Sequence, residues 1–537
     1  MNPARRRRGL VSPRPRLFCL TSSRTLDTVY HVNCFVLPPN FIAILIIVFS
    51  IYYYIHMTDD IFFFPVGWVK VVDAINSTLV KAKLSTGNYT HRHCIGSALV
   101  NRQGCWFFLK GGFVLDSTYN TSLLYFQFSG EGADQNLSIS VASASLQPFT
   151  DFQWRKQQQD NIATTRKRVV TIHVADVEGN RLPKASVQLQ QISKDFPFGS
   201  AISKTILGNS AYQKWFVDRF NAAVFENELK WYVTEVEPGK LNYTYADRLL
   251  EFVRSNQIVA RGHNIFWEDP VYTPAWVREL DATELVSAVI SRIENLLNRY
   301  KGEFVHWDVN NEMLHFDFYE HRLGPNTSFR LFQIAQRSDP LATLFMNDFN
   351  VIETCNDDAS TVDSYVLRLK ELMDGGAMLQ GIGLEGHFTK PNIPLMRAVL
   401  DKLGTLGLPI WLTEIDISKT VDRQTQAIYL EHVLREGFSH PSVNGIMLWT
   451  AVHDYGCYQM CLTDVDMKNL PAGDVVDRLL KEWETKSLNG ETDEHGLFSF
   501  NAFLGEYKVD VRYGNRSVLS SLSLFRGGET RHFNIQI

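Results

Sequence analysis

Cysteine is scarce in this chain, with seven in 537 residues. That is too sparse for a fold stapled by disulfides, and the odd number leaves at least one thiol without a partner in its own chain. Only local bridges are open: Cys457 and Cys461 lie four apart in a loop-like stretch, and Cys94 and Cys105 are spaced to close a hairpin. Glycine (33) and proline (19) are too few for a fibrous or low-complexity chain. Neither sign of charge dominates: 53 basic against 58 acidic residues give −5. Such a chain carries no general field for nucleic acid or an anionic membrane, so a neutral partner is expected. Long apolar runs are also wanting. Residues 41–55 form a run of 15, short of the roughly 20 that cross a bilayer as a helix. It follows a basic stretch with Arg5 to Arg8, Arg14, Arg16 and Arg24 and no acid before Asp27, the order of a signal anchor with its amino end in the cytoplasm. A disordered N-terminal segment over residues 1–60 is the alternative.

What is present is ordinary globular composition, 45% hydrophobic and 12% aromatic, enough for two to four domains at roughly 100–200 residues each. Asn-X-Ser/Thr sequons at Asn76, Asn88, Asn120, Asn136, Asn242, Asn326 and Asn515 lean toward the secretory pathway and an extracellular or cell-wall location.

From about residue 196 short apolar runs alternate with amphipathic stretches. Strand candidates are 196–202, 222–226, 258–267, 304–312, 343–350, 379–388, 408–417 and 443–452. Between them Leu285, Val286, Val289, Ile290, Ile293, Leu296 and Leu297 mark one helical face, and Val362, Tyr365, Val366, Leu369, Leu372 and Met373 another. This alternation predicts a parallel sheet, and eight repeats predict closure into an α/β (β/α)8 TIM barrel over residues 196–487. An open doubly wound sheet is the alternative.

Barrel chemistry sits at the C-terminal ends of the strands. Those ends carry Glu226 and Asn227; His263 and Trp267; Asn311 and Glu312; Asn347 and Asp348; Glu385 and His387; Glu414 and Asp416; then Trp449 and His453. A rim of carboxylates and aromatics, with few cations, suits a neutral polyhydroxylated substrate better than a phosphate. Glu312 and Glu414 each end an otherwise apolar strand, the fourth and the seventh. Facing each other across the mouth they supply what glycoside hydrolysis needs, an acid at the leaving oxygen and a carboxylate at the anomeric carbon. A gap of about 5–5.5 Å implies retention, a wider one inversion.

At these residues the chain resembles glycoside hydrolase family 10, the xylanases. Trp307-Asp-Val-Asn-Asn-Glu312 is similar to that family's acid/base signature and Leu412-Thr-Glu-Ile-Asp416 to its nucleophile signature. Glu226-Asn-Glu-Leu-Lys-Trp231, Arg261-Gly-His-Asn-Ile-Phe-Trp267, Asn347-Asp-Phe-Asn350, Gly381-Ile-Gly-Leu-Glu-Gly-His387 and Gly445-Ile-Met-Leu-Trp449 follow the family's order. Gly456-Cys-Tyr-Gln-Met-Cys-Leu-Thr-Asp464 and Asn469-Leu-Pro-Ala-Gly473 resemble the plant branch. The resemblance implies a retaining endo-1,4-beta-xylanase acting on xylan or a related beta-1,4-linked polysaccharide, as a monomer and without a cofactor or catalytic metal. It implies that Glu312 is the acid/base and Glu414 the nucleophile, and that Asn311 holds the sugar 2-hydroxyl. Glu226, Asn227, Lys230, His263 and Trp267 would line the non-reducing side, His387 would sit in a network with Asp416 beside the nucleophile, and Trp449 would stack on the sugar. Glu385 stands where many microbial members have Gln, Phe349 replaces a usual Tyr, and Gly456-Cys457-Tyr458 replaces a Ser-Trp pair. A transglycosylase using the same carboxylates and a wall-binding protein without turnover are the rival readings.

Residues 61–150, from Gly104-Cys-Trp-Phe-Phe-Leu-Lys-Gly-Gly112 to Ser145-Leu-Gln-Pro-Phe149, are similar to the latter half of a family 22 carbohydrate-binding module with a shortened first half; the alternatives are a working module and a damaged one that no longer binds, in which Trp106 is a core residue and not a sugar platform. Residues 165–195 and 488–537 alternate as strands and are expected to form hairpins in one small support sandwich. Two other motifs fail on context. Gly381-Ile-Gly-Leu-Glu-Gly386 matches a dinucleotide fingerprint, but Phe388-Thr-Lys-Pro391 interrupts the helix it requires. Glu312-Met-Leu-His315 has the spacing of a di-metal ligand pair, but no second pair accompanies it, and His-Glu-X-X-His is absent.

Overall fold

The stretch Ala222–Phe225 reads Ala-Ala-Val-Phe and is buried at every position, the pattern of a parallel strand covered on both faces. In a computed structural model of the chain it is β2 of a closed barrel: β1 (Phe198–Ile202), β2 (Ala222–Phe225), β3 (Val259–Gly262), β4 (His306–Asp308), β5 (Thr343–Asp348), β6 (Gly381–Phe388), β7 (Ile410–Ile417) and β8 (Val443–Leu448). Every neighbouring pair is parallel, and β1 closes the ring on β8 through Phe198 opposite Ile446. The structure describes residues 35–36, 47–49, 61–72, 77–86, 91–100, 104–115, 122–129, 138–527 and 530–537.

A helix follows each strand, as in Ala282–Arg299 after β3 and Val362–Asp374 after β5. The first begins at a capping box, Asp281 accepting from the Thr283 and Glu284 amides while Glu284 accepts from the Asp281 amide, worth about 1 kcal/mol. Leu285, Val289, Ile293, Leu296 and Leu297 are buried against the barrel, whereas Val286 and Ile290 are exposed. The apolar face is narrower than the sequence predicts, because those two residues lie on its flanks.

Two of the expected strands are broken. The 258–267 run divides into β3 and Phe266–Trp267, and the 304–312 run into β4 and Asn310–Asn311; the two outer pieces pair only with each other. A Cβ on Gly262 would lie 2.3 Å from the Trp307 ring, so only glycine lets the Trp307 indole cross β3 there. The break leaves Trp267 opposite Asn311, one residue from Glu312.

Chain from before and after the barrel shares one core. Lys167–Ala175 lies between Leu497–Phe503 and Arg531–Gln536, and Ser186–Lys194 between Leu488–Glu491 and Gly505–Tyr513, the last paired in turn with Arg516–Leu524. Val170, Ile172, Val174, Val187, Leu189, Val509 and Val511 fill the space between the sheets. The expected hairpin of the first two strands does not form, since they belong to different sheets. His532 likewise pairs across to Thr171 in a parallel strand. Alternation reports one buried face and is silent about the partner strand.

The contacts divide the chain into two compact units, one of residues 1–58, 63–111 and 115–148 and the other of residues 59–62, 112–114 and 149–537. The first carries two antiparallel sheets. One has the order Phe35–Val36, Ser138–Thr150, Ile61–Val72, Phe107–Lys110; the other Ile47–Phe49, Ser122–Ser129, Thr78–Thr86, His91–Val100. Ile47–Phe49 in the apolar 41–55 run is thus a strand and not a helix; the rest of that run, like most of residues 1–60, lies outside the described residues. Among the described residues no helix is long and apolar enough to cross a membrane. Cys105 is a free thiol, so the Cys94–Cys105 bridge is not made, Cys94 being taken up in a different disulfide. Trp106 is not a core residue either. It stands 38% exposed, with the Lys70 ammonium 5.0 Å from its ring. Cys457 and Cys461 are bonded.

Candidate active site

Asn347, at the C-terminal end of β5, ties the site together. Its amide Nδ2 lies 3.0 Å from Asn311 Oδ1, 2.9 Å from Glu385 Oε1 and 3.1 Å from Glu414 Oε1, and its Oδ1 accepts from Thr413 at 2.5 Å. The Asn347 carbonyl accepts from the Glu312 amide at 3.0 Å. One buried side chain on β5, the nearer to Glu312 of the two strands between β4 and β7, therefore touches both halves of the site.

Glu312 follows β4 in a turn, with φ at +60°. Its carboxyl accepts from Trp267 Nε1 at 2.7 Å. Burial raises its pKa, the Trp267 hydrogen bond opposes, and the negative charges of Glu414 and Asp348 push further up, to about 8. It therefore carries a proton at neutral pH.

Glu414 in β7 has different surroundings. Besides Asn347, it has His263 Nδ1 and His387 Nε2 each at 3.8 Å. Burial works against a charge on His387, but Asp416 at 3.0 Å from its Nδ1, with Glu385, raises its pKa well above the ordinary value. A histidine cation and N–H groups thus face one carboxylate, while the other is buried with a single indole N–H and two carboxylate charges near it. Glu385 stands directly opposite Glu414 in the β6–β7 register. Burial first, then the charges of Glu414 and Glu312, push its pKa well up, because adjacent carboxylates cannot readily both ionise. Glu385, His387 and Glu414 bring one ligand atom each within 4.8 Å of the others. That spacing would suit a cation, but His387 in its protonated form already supplies the positive charge and has no free lone pair to offer.

The remaining predicted residues join the same network. Lys230 Nζ donates to Asn227 Oδ1 at 3.2 Å and lies 4.6 Å from the Trp267 ring centre and 5.6 Å from that of Trp449. Asn227 donates to Glu226, whose carboxylate also takes His453 Nε2 at 2.6 Å. Trp449 meets the His263 ring edge to face at 5.3 Å, and His263 is oriented by Asp308 at 3.0 Å. All eleven residues, Glu226, Asn227, Lys230, His263, Trp267, Asn311, Glu312, His387, Glu414, Asp416 and Trp449, are brought to the C-terminal end of the barrel. Sequence reading left Asn347, His453 and Tyr272 without roles. The first two stood among the polar strand ends. Tyr272, stacked flat on Trp267 at 3.9 Å, is an ordinary loop residue in the sequence and carries no signal there.

Residues 188–469 match the family model described as glycosyl hydrolase family 10. The chain is 35% identical over 461 residues to endo-1,4-beta-xylanase 5 of Arabidopsis thaliana, covering 83% of this chain and 78% of that one. It is 33% identical over 473 residues to endo-1,4-beta-xylanase 4 of the same plant, covering 85% and 81%. It is 38% identical over 451 residues to endo-1,4-beta-xylanase 1, covering 83% of this chain and 46% of that longer one. A barrel with two carboxylates in contrasting surroundings, a match over more than half of the chain, and relatives aligned over most of its length lead to one conclusion: the chain belongs to glycosyl hydrolase family 10.

Proposed function

We propose that this glycoside hydrolase is a retaining endo-1,4-beta-xylanase that cleaves internal bonds of xylan by double displacement. Glu414 attacks the anomeric carbon while Glu312 gives its proton to the leaving oxygen; Glu312 then takes a proton from the water that releases the glycosyl-enzyme. The observation that carries this reading is the opposed environment of the two carboxylates around Asn347: Glu312 protonated near neutrality, Glu414 facing His263 and the His387 cation. Asn311, fixed by Asn347, is suited to the sugar 2-hydroxyl, and Trp449 with His263 to the ring bound next to it. Tested on xylan and on an aryl xylobioside with an activated leaving group, Glu312→Ala should lose xylan cleavage yet keep the first step on the aryl substrate, whereas Glu414→Ala should lose both. Equal residual activity of the two variants on both substrates contradicts the assignment.

We propose also that the N-terminal unit binds beta-linked sugar chains in the manner of a family 22 module. Trp68 (43% exposed), Trp106 (38%) and Phe108 (44%) are large exposed aromatics of this unit, and Trp68 and Phe108 face each other across paired strands with centroids 5.2 Å apart. Aromatic faces left in water are suited to stacking on the apolar faces of sugars. Trp68→Ala in the full chain should weaken retardation in xylan-containing native gels without changing turnover of a short aryl xyloside; unchanged retardation rejects this role.

A further inference from the structure

Three residues beyond Glu312, the turn that carries it is pinned by a second, separate set of charges. His315 Nδ1 lies 2.6 Å from Asp348 Oδ1, and His315 Nε2 lies 3.0 Å from Asp357 Oδ2. Two carboxylates on the two ring nitrogens can both be satisfied only when both nitrogens donate, that is, by the imidazolium. Each carboxylate is itself fixed. Asp348 is fully buried at the end of β5, and its other oxygen accepts from the Leu314 amide at 2.8 Å. Asp357 accepts from Asn350 Nδ2 at 2.8 Å and from the Ala359 amide at 3.0 Å. The imidazole also lies flat on Phe349, with ring centres 3.7 Å apart and planes 9° from parallel. Inside this clamp the Glu312 carbonyl accepts from the amides of His315 and Phe316 at 3.2 and 3.1 Å.

We propose that His315 is a positioning residue for the acid/base carboxyl, holding the Glu312 turn to β5 through Asp348 and to the loop that follows β5 through Asp357. The inference rests on the reading of Glu312 as the acid. Glu312 adopts a left-handed backbone conformation that a side-chain-bearing residue seldom takes up unsupported. Its N–H is held by β5 through the Asn347 carbonyl, and its C=O by the turn that His315 anchors to the same strand. Removing His315 leaves Asp348 a buried carboxylate without its counter-charge and frees the turn, so the Glu312 carboxyl no longer meets the leaving oxygen at hydrogen-bonding range. Glu414, on β7, does not depend on this clamp.

The consequence is selective. Loss of acid placement slows departure of poor leaving groups and spares those that leave without a proton. In the full chain, His315→Ala should lower kcat/KM on an unactivated xylo-oligosaccharide about tenfold or more, the scale of a misplaced catalytic group. On a 2,4-dinitrophenyl xylobioside the loss should be less than about threefold. Asp357→Asn, at a side chain 23% exposed, should shift the same ratio in the same direction by a smaller factor, and it serves where His315→Ala folds poorly. Rates are taken per folded molecule. Equal loss on both substrates, or none on either, in both variants overturns the inference. Glu312→Ala is run alongside: if it too shows no dependence on the leaving group, it is the reading of Glu312 as the acid that fails.

Discussion

Glu312 illustrates how far a residue's chemistry departs from its ordinary value when a fold buries it. Its folded pKa is raised to about 8 by burial and by Glu414 and Asp348. In the proposed mechanism the protonated form is the acid, so kcat/KM on xylan should be flat on approach to that pH and fall above it, while Glu312→Gln should lose that limb together with most activity. The same shift bears on stability. Because the folded carboxyl holds its proton more tightly than the unfolded chain does, its contribution is fully present below the unfolded pKa and is lost as pH rises through about 8. Glu312→Gln cannot ionise, so its melting temperature relative to the natural chain should climb between about pH 5 and 8; a constant difference would mean that Glu312 is not buried as described. Trp449 has two attachments, one to the barrel core with Trp411 and Met447 and one to His263 and Lys230. Trp449→Ala should therefore cost about 3–5 kcal/mol of stability and, per folded molecule, also lower kcat more than it raises KM. Intact turnover in the folded fraction would leave Trp449 a packing residue only.

At the scale of elements, the legible parts were those with a periodic apolar face. The helix Asp151–Thr165 shows why others were not. It buries only Trp154 and Gln158, so no apolar stripe betrays it, and the sequence reading passed over it between two β modules. Its place is set instead by polar contacts: Trp154 Nε1 and Gln158 Nε2 both donate to Glu436 Oε2, at 3.0 and 2.9 Å, and Arg397 grips the same carboxylate from both Nε and Nη2. Arg397 also lies 3.8 Å over the Trp154 ring. Glu436→Ala strands a buried guanidinium and should destabilise by about 3–5 kcal/mol, read as a drop in denaturant midpoint; a surface-like change below about 0.5 kcal/mol would contradict the burial. The 456–461 loop was legible as a likeness to the plant branch. Its Cys457–Cys461 bridge holds Tyr458 edge-on to His387 at 5.7 Å. Replacing both cysteines by serine should raise KM more than it lowers kcat, since the placement of Tyr458 is loosened while the hydrogen bond from His387 to Asp416 is kept.

For the molecule as a whole, the barrel was legible because there are eight short apolar runs and seven of them end in polar residues, a pattern few folds require. Strand partners were not, and the small sandwich shows it: Lys167–Ala175 and Ser186–Lys194 read as a hairpin yet belong to separate sheets that share the core of Val170, Ile172, Val187 and Leu189. The carboxylate pair was legible from Glu312 and Glu414 alone. The residue joining them, Asn347, was not, because an asparagine at a strand end has many uses until its neighbours are known. The central claim concerns what this arrangement does to the anomeric carbon. Proton NMR of xylo-oligosaccharide cleavage, recorded before mutarotation, tests it most directly. Attack by Glu414 and release of the glycosyl-enzyme with help from Glu312 predict that the first reducing ends carry the β configuration. First-formed α ends would mean direct attack by water and would contradict the two-carboxylate double displacement.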